Sequence, residues 1–327
     1  MKTIKNLVTG KEMPEFLTGV IAPMFTPCNE DGSLDEEGIR SYIQWLKGTG
    51  AVTSIFVRSG VGKMLLFSMD EVREIARVAI DEAAGDIYVM VGTSGDFSGG
   101  KPREDKYIEQ TVELSQFAQD QGADGAVVVS FGMDPLGNLD EKVKKFYERL
   151  NDSVQIPIII YQPGMTPAPF LMKPEVLETV SALPNVRGMK FSTDDMKRFG
   201  DLCAASLDQD FTMISGAETS FLPALSLGAG GVIGEGCNTY PQVLRAVFDS
   251  FMSGDLGAAA RAQATVNRTL AVWSGMDSAL VGKTYLASKG VKIKPILRRR
   301  KVDVDIEPRL DAFEKAIDSA VEPFKKG

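Results

Sequence analysis

The chain has 327 residues, of which 44% are hydrophobic and 24% are charged, and its formal net charge at pH 7 is −8. This composition is typical of a globular protein, and an acidic chain whose basic residues are spread along the sequence is not expected to bind nucleic acid. The chain contains no histidine, which excludes Ser-His-Asp and Cys-His catalysis and histidine-liganded zinc sites, so general acid–base chemistry must use Lys, Tyr, Asp, Glu or Cys.

Residues 1–15 are polar and are interrupted by Gly10 and Pro14, so we expect an N-terminal extension and neither a signal peptide nor a membrane span. The three cysteines, Cys28, Cys203 and Cys237, lie far apart and form no Cys-x-x-Cys pair. Neither a disulfide framework nor a thiolate metal site is predicted, and a reducing cytoplasm is the expected compartment.

Short β-branched runs alternate with amphipathic stretches between residues 16 and 253, an order typical of parallel βαβ units. The predicted strands are 18–25, 52–57, 87–91, 125–129, 156–161, 186–190, 211–214 and 231–233. The predicted helices are 35–47, 69–84, 104–121, 140–150, 174–182, 194–206, 220–227 and 241–253. Eight strands alternating with eight helices favour a closed (β/α)8 barrel, the TIM barrel of the α/β class, over an open doubly wound sheet.

Beyond residue 253 the sequence becomes rich in alanine and predicts a C-terminal helical region, residues 254–327. Helices are expected at 254–272, 278–289 and 306–324. The basic run from Arg298 to Lys301 is interpreted as a solvated face or a subunit contact. The predicted organisation is therefore an extension at 1–15, a barrel at 16–253 and a helical region at 254–327.

Two residues at predicted strand ends are candidates for catalysis, because the working residues of such barrels lie at the carboxyl ends of strands. Lys190 ends the sixth predicted strand and Tyr161 ends the fifth. A lysine in an apolar barrel mouth loses solvation, which favours its neutral, nucleophilic amine. Each residue also has a structural alternative: a salt-bridged lysine at a strand end, and a tyrosine that packs with one hydrogen bond.

Short motifs near the predicted strand ends carry a more specific signal. They are Gly19-Val20-Ile21-Ala22-Pro23 with Thr26-Pro27, Asp31-Gly32-Ser33-Leu34-Asp35, Ile160-Tyr161-Gln162, Pro184-Asn185-Val186-Arg187-Gly188-Met189-Lys190, Ser215-Gly216, Gly228-Ala229-Gly230-Gly231-Val232-Ile233, and Asn238 with Pro241. Together they resemble the dihydrodipicolinate synthase / N-acetylneuraminate lyase family of Schiff-base aldolases, from about Gly19 to the C-terminus.

The resemblance implies that Lys190 forms a Schiff base with a 2-oxo acid and that Tyr161 moves the protons. The iminium withdraws electrons from the neighbouring carbon, so a carbanion there is stabilised as an enamine. Tyrosine suits the proton-transfer role because its phenol both donates and accepts. No metal or other cofactor is then expected, since the iminium already supplies the electron sink.

One loop departs from the family's motif at both of its hydroxyl positions. The family's Gly-Thr-Thr-Gly-Glu after the second strand reads Ser59-Gly60-Val61-Gly62-Lys63 here. The backbone N–H groups of Gly60 and Val61 are still expected to bind the substrate carboxylate, because the glycine-rich turn is retained. Ser59 is the candidate to replace the lost hydroxyl beside Tyr161.

Two further positions depart from the family. Where it has Pro-Tyr-Tyr after the fourth strand, this chain has Ser130-Phe131-Gly132, so the tyrosine that completes the proton relay across a subunit boundary is missing. Thr166 occupies the position of the substrate-binding arginine of the synthases. This substitution argues against dihydrodipicolinate synthase activity.

The remaining positions are closer to the sugar-acid branch of the family. Ser192 matches a hydroxyl position of the sialic-acid lyases, Glu218 matches an acidic position that binds the polyol, and Glu235 falls where those lyases have a serine. With Gly216, these residues are expected to bind a hydroxylated substrate, and the carboxyl groups also suit a general acid for loss of water. The structural alternative for both glutamates is pairing with lysine or arginine.

Two basic residues would add positive charge to the barrel mouth. Arg58 ends the second predicted strand, and Lys63 replaces the acidic residue of the family's loop. One of them is a candidate to bind a distal carboxylate, sulfonate or phosphate of the substrate, and a structural ion pair is the alternative.

Three functions are compatible with these residues. The first is an aldolase that cleaves a 2-oxo-3-deoxy sugar acid, or a related adduct, to pyruvate and an aldehyde. The second is a dehydratase that uses the same enamine, and the third is a non-catalytic barrel that binds a 2-oxo acid as a sensor. Family members are commonly dimers of dimers, and the apolar faces of the C-terminal helices need cover, so we predict a homo-oligomer, with a tetramer as the first expectation.

Overall fold

The computed structural model describes residues 2–272, 276–298 and 307–324, with side chains from residue 310 in the last segment. The chain begins with an antiparallel hairpin of β1 (Thr3–Lys5) and β2 (Glu12–Pro14). Asn6 Nδ2 donates to the carbonyl oxygen of Gly228 at 2.9 Å, which joins the hairpin to the loop before the last barrel strand. The sequence does not predict this hairpin, because short polar strands carry little local signal.

Eight parallel strands form a closed barrel, which confirms the predicted fold. They are β3 (Gly19–Pro23), β4 (Ser54–Val57), β5 (Tyr88–Gly92), β6 (Gly125–Val128), β7 (Ile158–Gln162), β8 (Val186–Phe191), β9 (Thr212–Ser215) and β10 (Gly231–Val232). Consecutive strands pair with each other, and β10 pairs with both β9 and β3. This closure brings all eight carboxyl ends to one mouth.

The strands are apolar on both faces because one face packs inside the barrel and the other against the helices. In β7, Ile159 belongs to the cluster inside the barrel, whereas Ile158 and Ile160 pack in the outer layer. Phe16, Leu17 and Ile159 are among the buried side chains that fill the barrel interior. The interior is therefore a packed core.

Eight helices follow the strands in turn and cover the barrel. They are α1 (Glu36–Gly48), α2 (Met69–Ala83), α3 (Glu104–Gln121), α4 (Leu139–Ser153), α5 (Pro174–Ser181), α6 (Met196–Ala205), α7 (Phe221–Ser226) and α8 (Pro241–Met252). Side-chain caps start several of them: Asp35 accepts from the N–H of Gly38, and Ser68 forms a capping box with Glu71.

The C-terminal region contains the helices expected there, α9 (Leu256–Ala271), α10 (Ser278–Ser288) and α11 (Glu307–Val321). Lys283 in α10 is buried, and its Nζ donates to the carbonyl oxygens of Thr26 at 2.7 Å and Ile296 at 2.8 Å. These contacts dock α10 onto the loop that follows β3. Within the described ranges, the helices are too short or too polar to cross a lipid bilayer.

The predicted basic run is only partly described, because residues 299–301 lie outside the described residues. Its first member, Arg298, is not part of a solvated face. Its Nη2 lies 2.6 Å from Glu71 Oε1, its guanidinium lies 4.6 Å from the ring centroid of Phe67, and its side chain is 10% exposed. Arg298 therefore fastens the C-terminal region to the start of α2.

Candidate active site

Lys190 and Tyr161 meet at the barrel mouth. They are directly paired on the neighbouring strands β8 and β7, and both side chains are buried. Lys190 Nζ lies 4.4 Å from the ring centroid of Tyr161 and 5.9 Å from that of Phe56. The rings of Phe56 and Tyr161 pack edge to face, 5.9 Å apart. A primary amine thus lies beside a phenol in an aromatic pocket, an arrangement suited to Schiff-base chemistry.

The Tyr161 hydroxyl occupies space that a side chain at position 60 would otherwise fill. A Cβ added to Gly60 would lie 2.6 Å from Tyr161 Oη, well inside van der Waals contact. Gly60, at the family's threonine position, thus leaves the space that the Tyr161 hydroxyl occupies. The Tyr161 hydroxyl lies close to the position that the Cβ of the family's threonine would occupy.

Replacing Gly60 with alanine is expected to lower kcat by roughly tenfold or more, because the new Cβ must displace the Tyr161 hydroxyl and misplaced catalytic groups lose rate steeply. Steady-state kinetics measure the effect. Gly48→Ala is the matched control, because Gly48 ends α1 and a Cβ there meets nothing within 4 Å. Unchanged kinetics in Gly60→Ala would show that the position of the phenol does not limit the reaction.

The loop after β4 presents free backbone N–H groups. Lys63 N donates to Gly60 O and Met64 N donates to Ser59 O, both at 3.0 Å, and these bonds close the turn. Among the described residues, no acceptor pairs with the N–H of Gly60 or Val61. Adjacent unpaired N–H groups in a tight turn form a small anion-binding concavity.

Ser59 does not stand in for the lost relay hydroxyl. Its Oγ donates to the carbonyl oxygen of Met24 at 3.0 Å and accepts from the N–H of Gly62 at 3.0 Å. Ser59 is fully buried. Its hydroxyl therefore shapes the loop and is not directed to Tyr161.

Gly132, which replaces the family's second relay tyrosine, packs closely against another side chain. A Cβ at Gly132 would lie 2.4 Å from the ring of Tyr107, which projects from α3. The Tyr107 hydroxyl donates to the carbonyl oxygen of Val129, and burial raises the pKa of Tyr107 to about 12. A larger side chain at position 132 would require Tyr107 to move.

The buried side chain of Arg58 hydrogen-bonds to backbone carbonyl oxygens. Its Nε donates to Met64 O at 3.0 Å, and its Nη atoms donate to the carbonyl oxygens of Gly92, Ser94 and Gly95. Burial lowers the pKa of Arg58 to about 10. These contacts favour a structural role that ties the loop after β4 to the loop after β5, rather than the binding of a distal anion.

Replacing Arg58 with alanine is expected to destabilise the fold by about 3 kcal/mol or more, because several buried carbonyl oxygens lose their donor. The free energy of unfolding in urea measures this effect. Arg268→Ala on the exposed face of α9 is the control. A stable Arg58→Ala protein that loses only affinity for substrate would restore the anion-binding hypothesis.

Lys63 is already paired. Its Nζ lies 3.2 Å from Oδ2 of Asp277, the residue that caps the start of α10. Nothing local in the sequence around Asp277 or Ser278 indicates that α10 docks at the site. The start of α10, with Asp277 and Ser278, therefore contributes polar side chains beside the barrel mouth.

Glu218 and Glu235 lie together on the side of the mouth formed by β9 and β10. Glu218 is 5% exposed, and its Oε1 accepts from the N–H of Gly236 at 2.5 Å. Burial, and secondly the charge of Glu235, raise the pKa of Glu218 to about 8. Burial also raises the pKa of Glu235, whose Oε1 accepts from Ser278 Oγ at 2.7 Å. The positive charge of Lys190 acts on both carboxyl groups.

Ser192 and Gly216 lie in contact where β8 and β9 end. A Cβ at Gly216 would lie 2.4 Å from Ser192 Oγ, and Gly216 N donates to Phe191 O at 2.8 Å. Thr166 lies in the loop after β7, where its Oγ1 donates to Pro163 O at 2.6 Å. The hydroxyl of Thr166 therefore closes a turn of its own loop, whereas Ser192 follows Lys190 by two residues at the mouth.

Comparisons with known proteins agree with this geometry. Residues 16–319 match the family model described as the dihydrodipicolinate synthetase family. An uncharacterized DapA-like lyase of Pyrococcus horikoshii is 30% identical over 86% of this chain and 93% of its own length. A 4-hydroxy-tetrahydrodipicolinate synthase of Methanospirillum hungatei is 29% identical over 72% of this chain and 77% of its own. The predicted class, a lyase, is confirmed.

Solved structures show the same relationship. YagE, a prophage protein of the dihydrodipicolinic acid synthase family from Escherichia coli K12, determined in complex with pyruvate, superposes with a TM-score of 0.80. It is 25% identical and covers 93% of this chain and 98% of its own. With a barrel of the same topology and a family match over nearly the whole sequence, the chain belongs to the dihydrodipicolinate synthetase family.

Proposed function

We propose that this enzyme forms a Schiff base between Lys190 and a 2-oxo acid and that it cleaves a 2-oxo-3-deoxy sugar acid, or a related adduct, to pyruvate and an aldehyde. The observation that carries the proposal is the pairing of the Lys190 amine with the Tyr161 ring at 4.4 Å. The pyruvate complex of the related YagE supports the choice of a 2-oxo acid.

In the proposed reaction, the neutral amine of Lys190 attacks the C2 ketone, and water leaves as the iminium forms. Tyr161 accepts the proton of the C4 hydroxyl, the C3–C4 bond breaks, and its electron pair forms the enamine between C2 and C3. The aldehyde departs, C3 takes a proton back, and water hydrolyses the iminium to pyruvate and the free amine. Because Gly60 and Gly132 lack the family's hydroxyls, Tyr161 exchanges protons with substrate oxygen or water.

The remaining mouth residues are proposed to bind the two ends of the substrate. The free N–H groups of Gly60 and Val61 are suited to the C1 carboxylate. The hydroxylated end would contact residues on the opposite side. These residues are Ser192, Gly216, Glu218 and Glu235, with Thr166 at the edge of the mouth.

Borohydride trapping tests the proposal. We expect incubation with pyruvate and sodium borohydride to add one reduced adduct, located by mass spectrometry on the peptide that contains Lys190. Lys190→Arg is the matched control, because it retains the charge and removes the nucleophilic amine. Binding of pyruvate without any covalent adduct would instead support the non-catalytic sensor.

Chelators are expected to leave turnover unchanged, because the Lys190 iminium itself accepts the electron pair that a metal would otherwise stabilise. Assays with and without EDTA, on enzyme purified from chelator-treated buffers, measure this. Loss of turnover that a divalent cation restores would contradict a metal-independent Schiff-base mechanism.

We also propose a cytoplasmic homo-oligomer, with a tetramer as the first expectation. The three cysteines are unpaired thiols, in keeping with a reducing compartment. Gly132 removes the catalytic reason for association, because the residue packed there is Tyr107 of the same chain. Each subunit is therefore proposed to hold a chemically complete site.

A further inference from the structure

The turn between β10 and α8 wraps around the Glu218 side chain. A Cβ added to Gly234 would overlap Glu218 Cγ, so this glycine lies directly against the side chain. Two residues later, the N–H of Gly236 donates to Glu218 Oε1 at 2.5 Å. The peptide of Gly236 therefore helps to determine where the Glu218 carboxyl group lies at the mouth.

The far end of this turn is anchored to the barrel through Asn238. Its Nδ2 donates to the carbonyl oxygen of Pro23 at 3.0 Å, and its Oδ1 accepts from the Tyr42 hydroxyl at 2.6 Å. Asn238 and Tyr42 are both fully buried, so β3 and α1 fix the position of residue 238. Gly236, two residues earlier, carries no side chain that could hold its own peptide in place.

Tyr240, the residue before α8, supplies that contact. A Cβ added to Gly236 would overlap Tyr240 Cζ and Oη, and the three nearest atoms to such a Cβ all belong to Tyr240. The backbone joins the same two residues, because Tyr240 N donates to Gly236 O at 2.8 Å. The ring and the backbone of Tyr240 thus both hold the residue whose N–H binds Glu218.

The glycine at position 236 provides space rather than an unusual backbone conformation. Gly236 is not among the residues with positive φ, so its backbone is open to an alanine. The Tyr240 ring is what leaves no room for a Cβ. Gly236 and Tyr240 therefore form a fitted pair, in which the missing side chain of one makes space for the ring of the other.

The hydroxyl of Tyr240 is not what this residue supplies. The side chain is fully buried, and among the described residues its hydroxyl has no hydrogen-bond partner. Removing a buried hydroxyl that forms no hydrogen bond costs no such bond. The feature of Tyr240 that acts on the turn is therefore its aromatic ring.

We propose that Tyr240 is a positioning residue for the hydroxylated end of the substrate. Its ring holds the Gly236 peptide in the orientation in which the N–H binds Glu218, and the fixed carboxyl group then accepts a hydrogen bond from a substrate hydroxyl. Tyr240 itself does not touch the substrate, because its side chain is fully buried. This inference rests on the proposed function and deepens it, since it names a residue that sets the affinity for the sugar-acid end.

Binding of a sugar acid and binding of pyruvate should respond differently, because pyruvate has no hydroxylated end that could reach Glu218. Tyr240→Leu removes the ring and should weaken binding of 2-oxo-3-deoxyhexonic acid by ~10-fold, the scale of one hydrogen bond to an ionisable group. Borohydride trapping of pyruvate on Lys190 should remain unchanged. Tyr240→Phe keeps the ring and should bind both compounds as the wild type does.

Competition for Lys190 measures these affinities without requiring turnover. Full-length enzyme is incubated with isotopically labelled pyruvate, sodium borohydride and increasing concentrations of 2-oxo-3-deoxyhexonic acid. Mass spectrometry then gives the ratio of the two reduced adducts on Lys190, and the label distinguishes added pyruvate from any that is released. Tyr147→Leu is the matched control, because Tyr147 in α4 is equally buried, and its loss should lower the Tm without changing the ratio.

A double-mutant cycle tests the contact between the two residues. Gly236→Ala should also weaken sugar-acid binding by ~10-fold, because its Cβ has to displace the Tyr240 ring and with it the N–H that binds Glu218. In the Tyr240→Leu background, the same substitution should have a much smaller effect, because the ring is already gone. Additive effects of the two substitutions would contradict the proposed contact.

Three further results would overturn this inference. They are a folded Tyr240→Leu variant with the wild-type ratio of adducts, a Tyr240→Phe variant that binds the sugar acid as weakly as Tyr240→Leu, and a wild-type enzyme that traps pyruvate but not the sugar acid. If Tyr240→Leu does not fold, Gly236→Ala decides, and a wild-type ratio in that variant would overturn the inference. Failure of the proposed function is distinguishable, because it would appear as the absence of any pyruvate adduct on Lys190.

Discussion

Replacing Lys190 with alanine is expected to abolish turnover, with a loss of ~10⁴-fold or more, the scale seen when a covalent nucleophile is removed. The reason is that no other described amine lies beside Tyr161 at the barrel mouth. Product release measured at high enzyme concentration gives the residual rate. Lys197→Ala, an exposed lysine of α6, is the control.

Lys283 provides a test of whether Lys190 is the nucleophile. It is a second buried lysine, and desolvation lowers its pKa to about 8, so its amine could also react as a nucleophile. Its Nζ is held by the carbonyl oxygens of Thr26 and Ile296. Residual turnover in Lys190→Ala, with a borohydride adduct on Lys283, would show that the nucleophile was assigned to the wrong residue.

Replacing Tyr161 with phenylalanine is expected to lower kcat by ~10²-fold or more, because the ring is retained and only the proton-transferring hydroxyl is lost. The packing against Phe56 should persist, so the free energy of unfolding should change little. Steady-state kinetics and urea unfolding separate the two effects. Tyr88→Phe is the matched control, since the Tyr88 hydroxyl donates to Glu15 at 2.7 Å, at the start of β5 and away from the mouth.

The same experiment tests whether each subunit holds a complete site. With Tyr107 packed against Gly132, we expect no tyrosine of a neighbouring subunit to affect the rate as strongly as Tyr161 does. A crystal structure in which a neighbouring subunit's tyrosine hydroxyl contacts Tyr161 would contradict a self-contained site.

The structural roles of single residues could be read from the sequence only in part. Arg58 directly follows β4 at the start of the substrate loop, and its position suggested an anion contact. Its guanidinium instead donates to carbonyl oxygens in the next loop, because this buried charge has to be satisfied from within the fold. Ser59 likewise bonds within its own loop. In both cases, the residue type indicated that the side chain would form polar contacts, but not which group it would contact.

By itself, the sequence determined the (β/α)8 barrel, the helices after it and the strand ends at which Lys190 and Tyr161 lie. These features depend on periodicity and short motifs, which are local properties of the chain. Only the tertiary structure decided that the Tyr161 hydroxyl packs on Gly60, that Tyr107 fills the space beside Gly132 and that Ser278 reaches Glu235. These contacts join residues 25 to 101 positions apart, and they exist only once the barrel has closed and α10 has docked, since long-range packing leaves no periodic trace in the sequence.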